Sequence, residues 1–306
     1  MRKKTAAYFL GSFGIIALCL GGLITPDKSY EELAPKYVNK ASVFVTLDGY
    51  RIHYRDEGSG FPIVLIHGTG ASLHTWDAWT STLKKYFRVI RFDLPAYGLT
   101  GEDRNKRYTA KDYVALLDLL LNHLDIKDTY LAGNSLGGQV CWLYTSLNNE
   151  KVRKLVLLSP SGFRFDRTPS IIALAKTPIL NTLLRYITPR FFAKKQIKEV
   201  YYDQNLLKES TIDRYHDLVL YEGNRKAFID RAHIEREDYT QYLSKIDTPT
   251  LILWGENDRW IPVGEGKKFT KAIHGSTLVV LPETGHVPME ERPDESLTIT
   301  MDFLQN

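Results

Sequence analysis

A serine set among glycines, a late aspartate and a late histidine are the residues of this chain best suited to chemistry. Ser135 lies in Gly133-Asn134-Ser135-Leu136-Gly137, a G-x-S-x-G pattern in which a strand turns sharply into a helix and leaves the serine strained and exposed. Glycine suits such a turn because side chains would clash there. For five residues alone, an ordinary Gly/Ser turn is the competing reading. A serine hydroxyl is a poor nucleophile near neutral pH. It needs a base, and the base needs a group that fixes its tautomer and stabilises it once protonated. His286, in Gly285-His286, and Asp258, in Gly255-Glu256-Asn257-Asp258, supply that pair. The chain order Ser, Asp, His is the one expected with this kind of elbow. Of the eight histidines, only His286 follows a late strand in a glycine-containing loop. Glu256 is the alternative orienter of the base.

The elements that must position these residues follow from hydrophobic patterning. Residues 43–47 and 51–55 flank Asp48-Gly49, a dipeptide suited to the turn between two antiparallel strands. Residues 62–66 are a continuous apolar run, as expected of a strand covered on both faces, and end in His67-Gly68-Thr69-Gly70. Residues 87–92 read as a strand. Residues 109–124 read as a helix, with apolar positions 113, 116, 117, 120, 121 and 124 on one face and Thr109 with Asp112 as a capping pair. Further buried strands are expected at 129–132, 155–158, 249–254 and 277–281, with a closing helix near 294–304. This alternation predicts an α/β fold with a mostly parallel sheet, whose ligands gather at the carboxyl ends of the strands. His67, Asp93 and Ser135 all fall just past strand ends. The alternation stops at Pro160-Ser161-Gly162, and 163–245 reads as an inserted helical cap.

With 306 residues, 43% of them hydrophobic and 25% charged, the composition is globular rather than disordered. A net charge of +4 is too mild to argue for nucleic acid, and no arginine-rich tract or base-stacking module accompanies it. Two cysteines, Cys19 and Cys141, are too few for a disulfide framework, and no Cys/His cluster has structural-zinc spacing. Arg2-Lys3-Lys4 precedes residues 6–24, which carry no charge. As a helix that run would span about 29 Å, close to the hydrocarbon thickness of a bilayer. Signal-peptide cores are shorter, about 7 to 15 residues, so an uncleaved single-pass anchor is favoured over secretion after cleavage. The basic cluster places the N-terminus in the cytoplasm and the large domain on the extracytoplasmic side. Bulky Leu18 argues against lipid attachment at Cys19. The expected organisation is an anchor at 1–25, a polar linker at 26–42, a core in two parts at 43–162 and 246–306, and the cap at 163–245.

Five segments taken in order resemble the landmarks of the α/β-hydrolase family: His67-Gly68-Thr69-Gly70, Asp93-Leu94-Pro95-Ala96-Tyr97-Gly98, Gly133-Asn134-Ser135-Leu136-Gly137-Gly138, Trp254-Gly255-Glu256-Asn257-Asp258 and Gly285-His286-Val287-Pro288. The likeness covers roughly residue 43 to the C-terminus, except the cap. It implies an eight-stranded, mostly parallel sheet with helices on both faces, the triad Ser135, Asp258 and His286, and no cofactor. It also implies an oxyanion hole formed by the backbone N–H groups of Thr69 and Leu136. Ala96 departs from the glycine usual at its position, which puts the local turn in question. His67 then reads as shaping the oxyanion loop and Asp93 as organising its turn. Asn134 and Trp260 are candidates for substrate contact, Asn134 also for purely local hydrogen bonding.

From 164 to 198 the cap carries eight basic residues against the single acid Asp166, together with Ile171, Ile179, Leu183, Leu184, Phe191 and Phe192. Its apolar side is expected either to lie on anionic headgroups or to turn toward the pocket. The expectation for the whole chain is a membrane-tethered serine hydrolase acting on a hydrophobic small-molecule ester or similar acyl bond. Alternatives are C–C bond hydrolysis or perhydrolase and haloperoxidase-like chemistry on the same residues, and, in another class, a noncatalytic membrane-bound binding protein.

Overall fold

A computed structural model of the protein describes residues 23–164 and 168–306. The anchor expected at 1–25 therefore lies almost wholly outside the described residues, as do Asp166 and Arg167. Among the described residues no helix is long and apolar enough to cross a membrane.

Eight strands form one sheet: β1 Ser42–Leu47, β2 Tyr50–Gly58, β3 Pro62–Ile66, β4 Arg88–Phe92, β5 Thr129–Asn134, β6 Val152–Leu158, β7 Thr250–Gly255 and β8 Thr277–Leu281. Their spatial order is β1-β2-β4-β3-β5-β6-β7-β8. The hairpin β1–β2 and the β2–β4 pair are antiparallel, and every later pairing is parallel. The eight-stranded, mostly parallel expectation holds. Alternate residues of one strand feed different cores, because side chains alternate across a pleated strand. Val64 and Ile66 enter one buried cluster while Ile63 and Leu65 enter the other. Helices cover both faces: α2 (Asp77–Leu83), α3 (Ala110–His123), α4 (Leu136–Leu147), α10 (Gly264–Ala272) and α11 (Pro293–Gln305). Thr109 and Asp112 do close a capping box on α3.

The chain leaves β3 for β4 on one side and returns to β5 on the other, so the sheet has a switch point there. Crevices open at the carboxyl ends of strands at such points. Between β6 and β7 the described residues form five α-helices of the cap, α5 (Ser170–Lys176), α6 (Leu180–Leu184), α7 (Arg190–Val200), α8 (Glu209–Val219) and α9 (Asn224–Ala232). They stand over that crevice.

The expected linker is not a free tether. Residues Tyr30–Tyr37 form helix α1, opened by a reciprocal capping box between Ser29 and Glu32. Its two buried residues, Leu33 and Tyr37, pack with Leu99 and Leu218. On α8, Asp217 accepts hydrogen bonds from Lys28 Nζ, Lys36 Nζ and Tyr37 Oη at 2.5, 3.0 and 2.8 Å. One apolar pair at i, i+4 is too short a stripe to signal a helix by periodicity. It suffices here because the cap supplies the surface that covers it.

The turn after β4 is built around Asp93, which is fully buried. Its carboxylate accepts from the backbone N–H groups of Leu73 and Leu99 and pairs with His53 Nδ1 at 2.8 Å. Burial alone would raise that carboxyl, but the hydrogen bond from His53 holds it below its ordinary value. Ala96 adopts φ 80° within the turn, a left-handed conformation that costs a residue with a Cβ roughly 1–2 kcal/mol. The departure from glycine is thus accommodated with strain. Ala96→Gly is expected to stabilise the fold by about 0.5–1 kcal/mol, after allowing for the extra freedom of glycine in the unfolded chain. Urea unfolding of the two proteins measures the difference.

Candidate active site

Ser135 stands between β5 and α4 at φ 52° and ψ −114°, a strained conformation of the kind that collects at functional positions. The surroundings enforce it. Its N–H donates to the Leu158 carbonyl at 3.0 Å, and its own carbonyl accepts from Gln139 and Ser161 N–H. Helix α4 lies so close to β3 that a Cβ on Gly137 would meet the Ile66 carbonyl oxygen at 2.1 Å. The glycines of the pattern therefore permit the close approach that holds the serine at the crevice.

The two late loops meet at a hydrogen bond. His286 Nδ1 is 2.7 Å from Asp258 Oδ2, and both residues are buried. The other carboxylate oxygen accepts from Trp260 and Ile261 N–H at 2.8 and 2.9 Å. With Asp258 ionised and accepting, Nδ1 carries the imidazole proton and Nε2 keeps its lone pair. That Nε2 is buried and has no hydrogen-bond partner among the described residues. Glu256, the alternative orienter, has an exposed side chain and makes no such contact.

His286 is also held through its backbone, which no motif reveals. Its N–H donates to the Val200 carbonyl at the end of α7 at 2.7 Å, and its carbonyl accepts from Asn134 Nδ2 at 2.9 Å. Asn134 Nδ2 also donates to the Leu158 carbonyl, so both amide hydrogens are committed to bracing rather than left for a ligand. Glu291 braces the same loop, accepting from the N–H groups of Gly285, Tyr202 and Asp203. No motif marks Glu291; its only trace in the sequence is an acid five residues beyond His286, in Pro288-Met289-Glu290-Glu291. The Trp260 ring lies 5.5 Å from the His286 ring, centroid to centroid.

Thr69 follows β3 in the loop beside the elbow, where a Cβ on Gly68 would come within 3.1 Å of Ser135 Cβ. Leu136 is the first residue of α4, and the leading N–H groups of a helix have no intrahelical partner. Thr69 and Leu136, the two residues expected to supply an oxyanion hole, thus line one cavity with Ser135. His67 is wholly buried, with Nδ1 2.8 Å from the Gly68 carbonyl and Nε2 accepting from Leu94 N–H. Burial pushes its basicity down. It ties two loops together as a neutral ring.

His74, below the same loops, is pushed down to about 3 by burial and by the Arg55 guanidinium, against the attraction of Asp93. Arg55 Nη2 lies 3.0 Å from its Nε2. A histidine neutral in the fold but free to protonate near 6.5 when unfolded binds more protons in the unfolded state between those values. Stability should therefore fall as pH drops below about 6.5. His74→Gln is expected to flatten that fall, as read from melting temperature against pH.

Two cavities meet at Ser135. The first, about 140 Å³, is lined mainly by apolar cap residues including Ile171, Leu184, Phe192, Ile197 and Phe228, with His286 and Ser135 at its floor. The second, about 340 Å³, shares Thr69, Ser135 and Trp260 with the first but is lined by Arg164, Lys176, Arg231 and Arg236. The apolar stripe of the cap is therefore divided. Ile171, Leu184 and Phe192 face the first cavity, while Ile179, Leu183 and Phe191 are exposed. The basic side is partly neutralised, since Arg190 pairs with Glu209 and Asp213 and Lys194 pairs with Glu209. Among the described residues no cluster of His, Cys, Asp and Glu could hold a metal ion.

Fold and crevice define an α/β hydrolase, and the comparison with known families agrees: the model of the alpha/beta hydrolase fold matches residues 62–293, and the chain belongs to that family. Among its relatives is the uncharacterized hydrolase YugF of Bacillus subtilis (strain 168), 29% identical over 267 residues that cover 85% of this chain and 96% of that one. A 2-hydroxy-6-oxo-2,4-heptadienoate hydrolase of Pseudomonas putida is 26% identical over 274 residues, covering 85% and 95%. The solved structure of a bacterial membrane phospholipase A shares the fold with a TM-score of 0.75 at 23% identity, over 98% of each chain.

Proposed function

We propose that the protein is a membrane-tethered serine hydrolase that cleaves a carboxylic ester through an acyl-enzyme on Ser135. The observation that carries this reading is the unpartnered Nε2 of His286, fixed by Asp258 and lining the same cavity as Ser135. In the proposed cycle His286 takes the proton of Ser135 as the hydroxyl attacks the acyl carbon, and Thr69 and Leu136 N–H receive the developing oxyanion. His286 then protonates the leaving group, and water releases the acid. A fluorophosphonate probe should label the wild-type protein and not Ser135→Ala. Equal labelling of both, or of neither, overturns the reading.

Hydrolysis of a C–C bond is the second reading, favoured by the likeness to the 2-hydroxy-6-oxo-2,4-heptadienoate hydrolase of Pseudomonas putida. Comparing kcat/KM on p-nitrophenyl esters with that on a 2-hydroxy-6-oxo-dienoate decides between them. Tethering is supported by the uncharged run at 6–24 and by where that run meets the fold. Thr25 N–H donates to the Tyr186 carbonyl at 2.7 Å, beside cap residues whose apolar side chains, Ile179, Leu183 and Tyr186, are exposed. The chain beginning at residue 25 is expected in the soluble fraction and the full chain with membranes. Co-fractionation of both removes the tether.

A further inference from the structure

Ser135, Thr69 and Trp260 lie on the divide between an apolar cavity and a cationic one. An ester has two sides, and this arrangement gives each a different environment. The apolar cavity suits a hydrocarbon chain. Its cation Arg225 has its charge offset by Asp27 at 2.6 Å and donates to the Thr25 carbonyl, which leaves only Nη1 buried without a partner among the described residues. An anionic group placed there would be desolvated with little to repay it.

The second cavity has the opposite character. Four cationic side chains, Arg164, Lys176, Arg231 and Arg236, face two carboxylates, Glu235 and Glu237, and Glu237 is paired outward with Lys111 at 3.4 Å. Arg231 makes no ion pair among the described residues; its guanidinium lies over the Tyr97 ring, 6.0 Å from the centroid, and its buried Nε has no hydrogen-bond partner among them. The same is true of Trp260 Nε1. Buried donors left without partners are rare and call for an acceptor. The cations also feel one another, since burial and then the charges of Arg231 and Arg164 push the Arg236 guanidinium below its ordinary value.

We infer that the substrate is an amphiphilic ester whose acyl chain fills the apolar cavity and whose leaving alcohol bears an anionic phosphate or carboxylate held by Arg231. This rests on the ester-hydrolase reading above and adds the chemistry of the leaving group. Ser135 Oγ bonds to the acyl carbon as the bond from that carbon to the anionic alcohol breaks, and the departing oxygen takes the proton that His286 removed from Ser135. Water then adds to the acyl carbon, giving the free acid and restoring the serine. The guanidinium offers a planar pair of donors matched to such oxyanions.

The test compares a monoacylglycerol with the monoacylglycerol phosphate of the same acyl chain, using the full-length protein in a neutral detergent. At low salt kcat/KM should favour the phosphate by about tenfold or more, mainly through KM, and the preference should shrink as salt screens the cavity. Arg231→Gln should bring the ratio to about one and Arg231→Lys should keep part of it. Should Arg231→Gln fail to fold, competition on the wild-type protein gives a second readout, with glycerol phosphate inhibiting where glycerol does not. A ratio near one in the wild type, or a ratio unchanged by Arg231→Gln, overturns the inference. So does hydrolysis of neither ester while Ser135 still takes the fluorophosphonate, which leaves the nucleophile standing. Failure of labelling overturns both.

Discussion

Replacing Ser135 with alanine is expected to lower kcat for ester hydrolysis by about a millionfold, and His286→Ala by a similar factor, because nucleophile and base act as one unit. For the same reason the double variant should be no worse than either single one. Asp258→Asn should cost less, about 10⁴-fold. An amide can still accept from Trp260 and Ile261 N–H with the oxygen that now serves them, so the loop should keep its shape. Its NH₂ would instead face His286 Nδ1, which now lies 2.7 Å from a carboxylate oxygen. Two donors cannot share that contact, and the imidazole would turn to the tautomer whose Nε2 cannot accept the serine proton. The residual rate of all variants should stay above that in water, since the N–H groups flanking Ser135 remain. Steady-state kinetics on a p-nitrophenyl ester, with melting curves to establish that each variant is folded, gives the factors. A loss below about a hundredfold for Ser135→Ala or His286→Ala would remove these residues from the proposed mechanism.

What could be read from the sequence was what local rules decide. The Asp48-Gly49 hairpin, the apolar run of β3 and the capping box of α3 each depend on residues close in the chain, and each is present. The loop positions of Ser135, Asp258 and His286 were legible for a related reason, since strands that alternate with helices bring their carboxyl ends to one edge. Short helices with weak stripes were not. No clear periodicity marks Tyr30–Tyr37, Asp77–Leu83 or Gly264–Ala272 as helices, elements whose burial is supplied by other parts of the chain. Backbone contacts were equally hidden. Nothing in the residue types of 196–200 signals that the Val200 carbonyl receives His286 N–H, or that the end of a cap helix thereby touches the loop of the base. The cationic cavity was half visible. The basic run at 164–198 was plain, but Arg231 and Arg236 join it only because α9 and the segment after it return beneath α5, and two of the run's other charges, Arg190 and Lys194, are spent on Glu209 and Asp213.

Gly137→Ala is expected to destabilise the protein by about 3 kcal/mol or more, against the rule that alanine is worth nearly 1 kcal/mol over glycine inside a helix. Gly137 is within α4 and its φ is not positive, so conformational freedom is not what the position needs. Space is. An added Cβ would lie 2.1 Å from the Ile66 oxygen, 2.5 Å from the Ile66 carbon and 2.6 Å from the His67 oxygen. All three atoms are backbone at the end of β3, where Leu65 and Ile66 pair with Ala132 and Gly133 of β5, so no side-chain rotation relieves the contact. Relief requires α4 to move away from the sheet. That shift would carry Ser135 and Leu136 with it and change their distance from Thr69, and a displacement of about 1 Å is enough to cost roughly a hundredfold in rate. Gly264→Ala is the matched control, since Gly264 opens α10 and an added Cβ there meets nothing within 4 Å. Urea unfolding should show that substitution neutral or slightly stabilising. If Gly137→Ala matched it in both stability and rate, the close approach of α4 to β3 would not be what holds the serine in its strained turn.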